Sequence, residues 1–130
     1  ACSMRPEHEQ AAHWLIKADH DLRAASLALR AQPPITDVSG FHSQQAAEKA
    51  LKAFLVRHVV AFDFVHDVQY LLGLCARLDG SFEELAEAGA VLTPFAVKFR
   101  YPSASEATVE QAATAFELAE RIVQVVRAKL

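Results

Sequence analysis

The sequence has few of the residues that mark a secreted, membrane-bound or strongly basic protein. Its 130 residues include only two cysteines, too few for a disulfide framework, and this favours a cytoplasmic protein. No apolar run approaches the ~20 residues that a membrane span needs, so we expect no association with a membrane. The formal net charge of -3 provides no global positive field to attract nucleic acid, although a local basic patch is still compatible with binding.

Glycine and proline are also scarce, with four and five residues, and most of them fall between segments of regular hydrophobic spacing. Strand signals are nearly absent because the β-branched residues recur at helical steps. This spacing predicts five helices, over about residues 7–31, 38–58, 66–78, 81–99 and 108–130. Short connections between amphipathic helices predict an all-α fold, an up-and-down antiparallel bundle of four long helices and one shorter helix. We expect a single domain over residues 7–130, after an irregular head over residues 1–6 that is too short for a signal peptide.

Local signals at the helix ends refine this picture. Ser81 and Glu84 have the spacing of a capping box that opens the fourth helix. The apolar spacing continues through Pro94, so we expect a kink there and not a break. Thr108 and Gln111 form a second capping box at the start of the last helix. The apolar stripes of the four long helices are expected to meet in one core, around Trp14, Leu51, Phe95 and Phe116.

The second predicted helix carries a polar stripe opposite its alanine and leucine face, formed by Gln45, Glu48, Lys49 and Lys52. From spacing alone, this stripe is interpreted as a solvated face, with Glu48 nearest to its border. The pair Glu48 and Lys52 has the favoured i to i+4 orientation, which stabilises an exposed helix by only a few tenths of a kcal/mol.

His66 and Asp67 stand at the start of the third predicted helix. A carboxylate at this position accepts backbone N–H groups and complements the helix dipole, so we interpret Asp67 as a cap. Histidine changes its charge near neutral pH, and His66 therefore suits either a structural role or a role in proton transfer or nucleotide contact.

Arg100 and Tyr101 follow the fourth predicted helix, and Pro102 ends helical geometry there. The planar guanidinium of arginine suits carboxylate or phosphate, and tyrosine offers a rigid ring with a polar tip. One interpretation is structural, with Arg100 paired to Glu48 or Asp21 at the end of the bundle. The other is that Arg100 and Tyr101 contact a ligand.

Motifs for metal or phosphate-loop chemistry are lacking. No pair of histidines has the short spacing of a zinc site such as His-Glu-x-x-His, and no glycine-rich loop follows a strand. We therefore predict no metal and no cofactor.

Four motifs in order along the chain resemble the HEPN family, named for its higher eukaryote and prokaryote nucleotide-binding members. They are Trp14-x3-Ala18-x2-Asp21-Leu22-x2-Ala25, Phe41-His42-x-Gln44-Gln45-Ala46-Ala47-Glu48-Lys49-Ala50-Leu51-Lys52, His66-Asp67 and Arg100-Tyr101-Pro102. The resemblance runs from about Trp14 to Leu130. It implies a binding module that takes up a mononucleotide or partners a minimal nucleotidyltransferase encoded beside it. It also implies one polar ligand-binding site, formed by Glu48, Lys52, His66, Asp67, Arg100 and Tyr101.

We further expect a homodimer, because the second predicted helix carries apolar side chains on the side away from its alanine face, namely Phe41, Val56 and Val59.

Many HEPN proteins are metal-independent ribonucleases that use an arginine followed by a histidine, with about four to six residues between them. In this sequence Arg57 and His66 are separated by eight residues, and Arg100 is followed by no histidine. This departure predicts a non-catalytic module with no catalytic residues. The alternative is a toxin-like ribonuclease of the toxin–antitoxin kind that binds RNA, with His66 as general acid/base and Arg57 or Arg100 stabilising charge. A purely structural helical adaptor also stays open.

Overall fold

The computed structural model describes residues 5–102 and 105–130. Its elements are α1 (Pro6–Arg30), α2 (Thr36–Arg57), α3 (Val68–Leu78), α4 (Ala88–Ala96) and α5 (Val109–Lys129), with 3₁₀ segments at Gly80–Leu85 and Lys98–Arg100. The predicted all-α bundle is confirmed, and the part of the chain that the structure describes contains no strand. Within the same residues, no helix is long and apolar enough to cross a membrane.

Helix α1 begins where the sequence provides a favourable start. Pro6 occupies its first turn, where a missing N–H costs nothing, and Glu7 and Glu9 complement the positive end of the helix dipole. The predicted irregular head is therefore shorter than expected, because residue 6 is already helical; its residues 1–4 lie outside the described part. The helix ends at Arg30, just before the two prolines of the connection to α2.

Helices α1 and α2 pack as an antiparallel hairpin. The Ser39 hydroxyl near the start of α2 donates to the carbonyl oxygen of Ala25 near the end of α1, at 2.8 Å. Further along α2, Lys52 lies against Trp14 in the first half of α1. Rising residue numbers in one helix therefore meet falling numbers in the other. This register aligns the polar stripe of α2 with α1.

Helix α2 is the central helix of the bundle and contacts α1, α3, α4 and α5. Its polar residues Gln44, Glu48 and Lys52 are buried together with its alanines. The interpretation of this stripe as a solvated face is therefore wrong for Glu48 and Lys52. Two close approaches make the packing tight, since the ring of Phe95 lies directly on Gly40 and the backbone of Gln69 lies on Gly89. At both glycines an added Cβ would overlap its neighbour.

The fourth predicted helix is divided in the structure. The capping box at Ser81 is not the start that forms, because Asp79 caps this segment and accepts hydrogen bonds from the Ser81 N–H at 3.0 Å and the Ser81 hydroxyl at 2.7 Å. The chain then makes a 3₁₀ turn before α4, and Pro94 lies inside α4, which ends two residues later at Ala96. The expectation of one kinked helix up to residue 99 is wrong. The capping box at the start of α5 is confirmed.

The core is formed by buried side chains from all five helices. Leu51 and Phe95 are buried in it as predicted, whereas Trp14 and Phe116 are only half-buried. Cys75 is buried, and its burial raises the pKa of the thiol to about 12, so it acts as a small apolar side chain and not as a reactive group.

Candidate functional site

The carboxylate of Glu48 is the centre of a buried polar cluster on α2. Glu48 is only 2% exposed. Its Oε1 accepts from Lys52 Nζ at 2.7 Å and from His66 Nδ1 at 3.0 Å. Its Oε2 accepts from Gln44 Nε2 at 3.0 Å and, more weakly, from Gln45 Nε2 at 3.4 Å. A buried carboxylate is tolerated only when it is paired and hydrogen-bonded, and Glu48 meets both conditions.

Lys52 is enclosed on all sides by its partners. It is 7% exposed, and its ammonium group lies 5.5 Å from the centre of the Trp14 ring and 5.8 Å from that of Phe62. Both rings present electron-rich faces to the cation and exclude water from it. The charge of Lys52 is therefore compensated by Glu48 inside the protein and is withdrawn from solvent.

His66 has the opposite exposure, since 72% of its side chain is accessible. The Nδ1–H of His66 donates to the Glu48 carboxylate, which fixes the ring and leaves Nε2 on its exposed side. The loop that carries His66 is held by Tyr70, whose hydroxyl accepts from the Asp63 N–H at 3.2 Å. Asp67 caps α3 as expected, because its carboxylate accepts from the Tyr70 N–H at 3.1 Å.

Arg100 and Tyr101 are presented by the short 3₁₀ segment after α4. The guanidinium carbon of Arg100 lies 5.0 Å from the centre of the Phe41 ring, a cation–π contact with the first half of α2. Both Arg100 and Tyr101 are exposed. Among the described residues, Arg100 makes no ion pair with Glu48 or with Asp21. Of the predicted site residues, the structure thus brings Glu48, Lys52 and His66 into direct contact and places Arg100 against Phe41.

A second polar cluster, between α1 and α2, was not predicted from the sequence. Asp21 is buried, and its Oδ1 accepts from His42 Nδ1 at 2.7 Å while its Oδ2 accepts from Lys49 Nζ at 2.6 Å. The His42 ring also meets the edge of Phe41, with ring centres 5.5 Å apart. The signal that would have found this cluster is the seven-residue spacing of His42 and Lys49, which places both on one face of α2.

The two clusters share one plan. In each, a buried carboxylate accepts from the Nδ1 atom of a histidine and from a lysine ammonium, and the histidine ring extends toward the surface. Gln45 lies between them on α2 and donates to Gln44 Oε1 at 2.8 Å. Within the residues that the structure describes, no three histidine, cysteine or acidic side chains are grouped to hold a metal ion. The two clusters therefore orient the imidazole rings of His42 and His66 toward the surface of the protein.

Arg57 and the residue that holds His66 point to different sides of α2. Arg57 lines a cavity of about 570 Å³ between α1 and α5, together with residues such as Ile16 and Arg127. It follows Glu48 by nine residues, which at 3.6 residues per turn is about half a turn around α2. His66 is bonded to Glu48 on the other side of the helix. The structure therefore does not bring Arg57 and His66 together, and Arg100, the other arginine of the ribonuclease alternative, lies against Phe41.

Comparison with known proteins agrees with this arrangement of helices. The family model of the HEPN domain matches residues 11–129, nearly the whole chain. The crystal structure of TT1696 from Thermus thermophilus is 33% identical in sequence and superposes with a TM-score of 0.78, over 93% of this chain and 98% of that chain. A search of curated proteins finds no match. The match of the family model over nearly the full length, on a helical bundle of the same fold, shows that the chain belongs to the HEPN domain family.

Proposed function

We propose that the chain is a non-catalytic binding module of the cytoplasm that takes up a mononucleotide or partners a minimal nucleotidyltransferase. Membership of the HEPN family and the organised polar stripe of α2 support this proposal. The motif residues His66 and Arg100 are exposed. The α2 residues that contact them are Glu48, which is buried, and Phe41, which is half-buried.

One observation carries the proposal: His66 and Arg100 are exposed donors held in fixed orientations by the same helix. Glu48 fixes the ring of His66, and Phe41 supports the guanidinium of Arg100. Groups that are oriented before the ligand arrives lose less conformational entropy on binding. Such an arrangement is therefore well suited to recognition. Tyr101 beside Arg100 adds an exposed ring on which a nucleobase can stack.

Binding of nucleotides is tested by isothermal titration calorimetry with ATP, GTP and AMP. We expect Arg100→Ala to weaken binding by about tenfold to a hundredfold, because a charge-assisted hydrogen bond contributes roughly 1.5–3 kcal/mol. Arg23→Ala, which removes an exposed arginine of α1, is the matched control and should bind as the wild type does. No binding of any nucleotide by the wild type would contradict the nucleotide part of the proposal.

The partner is tested by inspecting the neighbouring reading frames for a minimal nucleotidyltransferase and co-expressing it with this chain. We expect the two proteins to co-purify, and Tyr101→Ala or Arg100→Ala to reduce the amount of complex while circular dichroism stays unchanged. Recovery of the nucleotidyltransferase free of this chain, at equal expression, would contradict the partnership.

Self-association as a homodimer is part of the same proposal. Apolar side chains exposed on the single chain support it, including Val59 and Phe64 of the loop between α2 and α3 and Ile16 of α1. Sedimentation equilibrium at tens of micromolar should give twice the mass of 14.3 kDa. A monomer at that concentration would contradict it.

The ribonuclease alternative has one observation in its favour, since a carboxylate bonded to His66 Nδ1 is an arrangement that also serves general base catalysis. Against it stands the separation of Arg57 from His66 by the body of α2. We expect no cleavage of RNA by the wild type in the presence of EDTA. Cleavage that disappears in His66→Ala would favour the ribonuclease over the binding module.

A further inference from the structure

We infer that the phosphate group of the ligand is bound by His42, Lys49 and Arg100, and not by Lys52. This inference rests on the proposed function, because it names the part of the stripe that takes the charged end of a nucleotide. It assigns a role to the cluster around Asp21, whose contacts the motifs alone did not predict.

Accessibility decides between the two lysines of the stripe. Lys52 is 7% exposed, and its ammonium is enclosed by Glu48 and two aromatic rings, so a phosphate oxygen could reach it only by displacing them. Lys49 is 26% exposed, and its partner His42 is 32% exposed. A ligand arriving from solvent therefore meets Lys49 and His42 without disturbing the core.

Geometry joins Arg100 to the same place. The Phe41 ring contacts both the guanidinium of Arg100, at 5.0 Å from the ring centre, and the His42 ring, in a T-shaped arrangement with 5.5 Å between ring centres. Arg100 and His42 thus flank one phenyl ring, and Lys49 is tied to His42 through Asp21. Three donor side chains from α2 and the segment after α4 are in this way linked through Phe41 and Asp21.

The charges of this surface favour an oxyanion. Asp21 is buried and both of its oxygens are engaged, so it holds His42 and Lys49 in place and offers no free acceptor to a ligand. The negative charge of Asp21 compensates the positive charge of Lys49. The positive charge of Arg100 is not compensated by Asp21. Guanidinium, imidazole and ammonium groups together provide the charge-assisted hydrogen bonds that a phosphate accepts.

The inference is tested on the wild-type protein by NMR of the histidine side chains, with inorganic pyrophosphate and ATP as probes. The resonances of His42 are identified by their loss in His42→Gln. We expect both probes to shift the His42 ring resonances and to leave those of His58, at the far end of α2, in place. In calorimetry, Lys49→Met and His42→Gln should each weaken ATP binding by at least about tenfold, whereas His58→Gln binds as the wild type does.

The outcomes separate this inference from the proposed function. ATP that binds and shifts His66 but not His42 would overturn the phosphate site and leave nucleotide binding intact. Pyrophosphate that shifts His42, while no nucleotide binds more tightly than pyrophosphate, would support the site and overturn the nucleotide as ligand. No response to either probe would overturn both. The probes are added to the unmodified protein, and the variant serves only to assign the His42 resonances; if His42→Gln does not fold, His42→Asn serves for the assignment.

Discussion

Replacing Glu48 by glutamine separates the charge of the buried pair from its shape. The amide keeps an oxygen for the donors around it but removes the negative charge that compensates Lys52, whose ammonium is 7% exposed. Leaving one member of a buried ion pair uncompensated costs about 3–5 kcal/mol. Glu48→Gln should therefore lower the free energy of unfolding by that amount, out of the roughly 5–15 kcal/mol typical of a domain.

The opposite replacement should be milder. In Lys52→Met the carboxylate of Glu48 still accepts from His66, Gln44 and Gln45. We expect a loss of about 1–3 kcal/mol, the cost of one missing partner at a buried polar group. The double variant Glu48→Gln with Lys52→Met should recover to within about 1.5 kcal/mol of the wild type, because a buried pair removed as a whole is often neutral.

Urea denaturation followed by circular dichroism measures these differences, and the transition slope m shows whether the unfolding remains comparable among the variants. For a chain of this size, Glu48→Gln should also lower the melting temperature by roughly 10–20 °C. A loss below about 1 kcal/mol in Glu48→Gln would refute the argument. So would a double variant whose loss equals the sum of the two single losses, since that would mean that the charges are not coupled.

Two further predictions concern packing and acid stability. Gly40→Ala should destabilise the protein by about 1–3 kcal/mol, because its Cβ would overlap the Phe95 ring. Gly73 has open space around it, so Gly73→Ala should stabilise α3 by about 0.5–1 kcal/mol. Equal melting temperatures of the two variants would contradict these predictions. The hydrogen bond from Lys129 and then that from Ser81 lower the pKa of Asp79 to about 2. Asp79 therefore stabilises the folded state above about pH 4, and this contribution is lost as the pH falls toward about 2. Lys129→Met should reduce the fall in melting temperature between about pH 4 and about pH 2. An unchanged dependence of the melting temperature on pH would contradict the assignment.

The extent to which the fold could be predicted follows from how local each signal is. The start of α5 was predicted because its capping box, Thr108 and Gln111, lies within a single turn. The divided fourth segment was not, because the residue that sets its start, Asp79, is also bonded to Lys129, fifty residues further along the chain. The capping box that the spacing of Ser81 and Glu84 predicts is therefore not the start that forms. Local pattern alone does not contain such a contact.

The same distinction applies to the candidate site. The i to i+4 spacing of Glu48 and Lys52 predicts that they pair. It does not predict that they are buried, because the rings that cover Lys52 come from α1 and from the loop after α2. The contacts of Asp21 with His42 and Lys49 were not predicted for the same reason, since these partners lie 21 and 28 residues away. Only the antiparallel register of α1 and α2 brings them together.

The buried charges of α2 are informative because a buried ion pair is often not required for stability. Apolar residues of similar size in place of a buried ion pair are often neutral or stabilising, so the pair of Glu48 and Lys52 is weak evidence for a structural role. What the pair does is to hold an exposed group, His66, in one orientation. In the variant Glu48→Leu with Lys52→Met, which removes both charges and the oxygens that accept from His66, the fold should persist while the ring of His66 loses its fixed orientation, which is measured by NMR relaxation of the imidazole. A ring that stays ordered in that variant would show that the loop fixes His66 without Glu48, and the charges would then need another explanation.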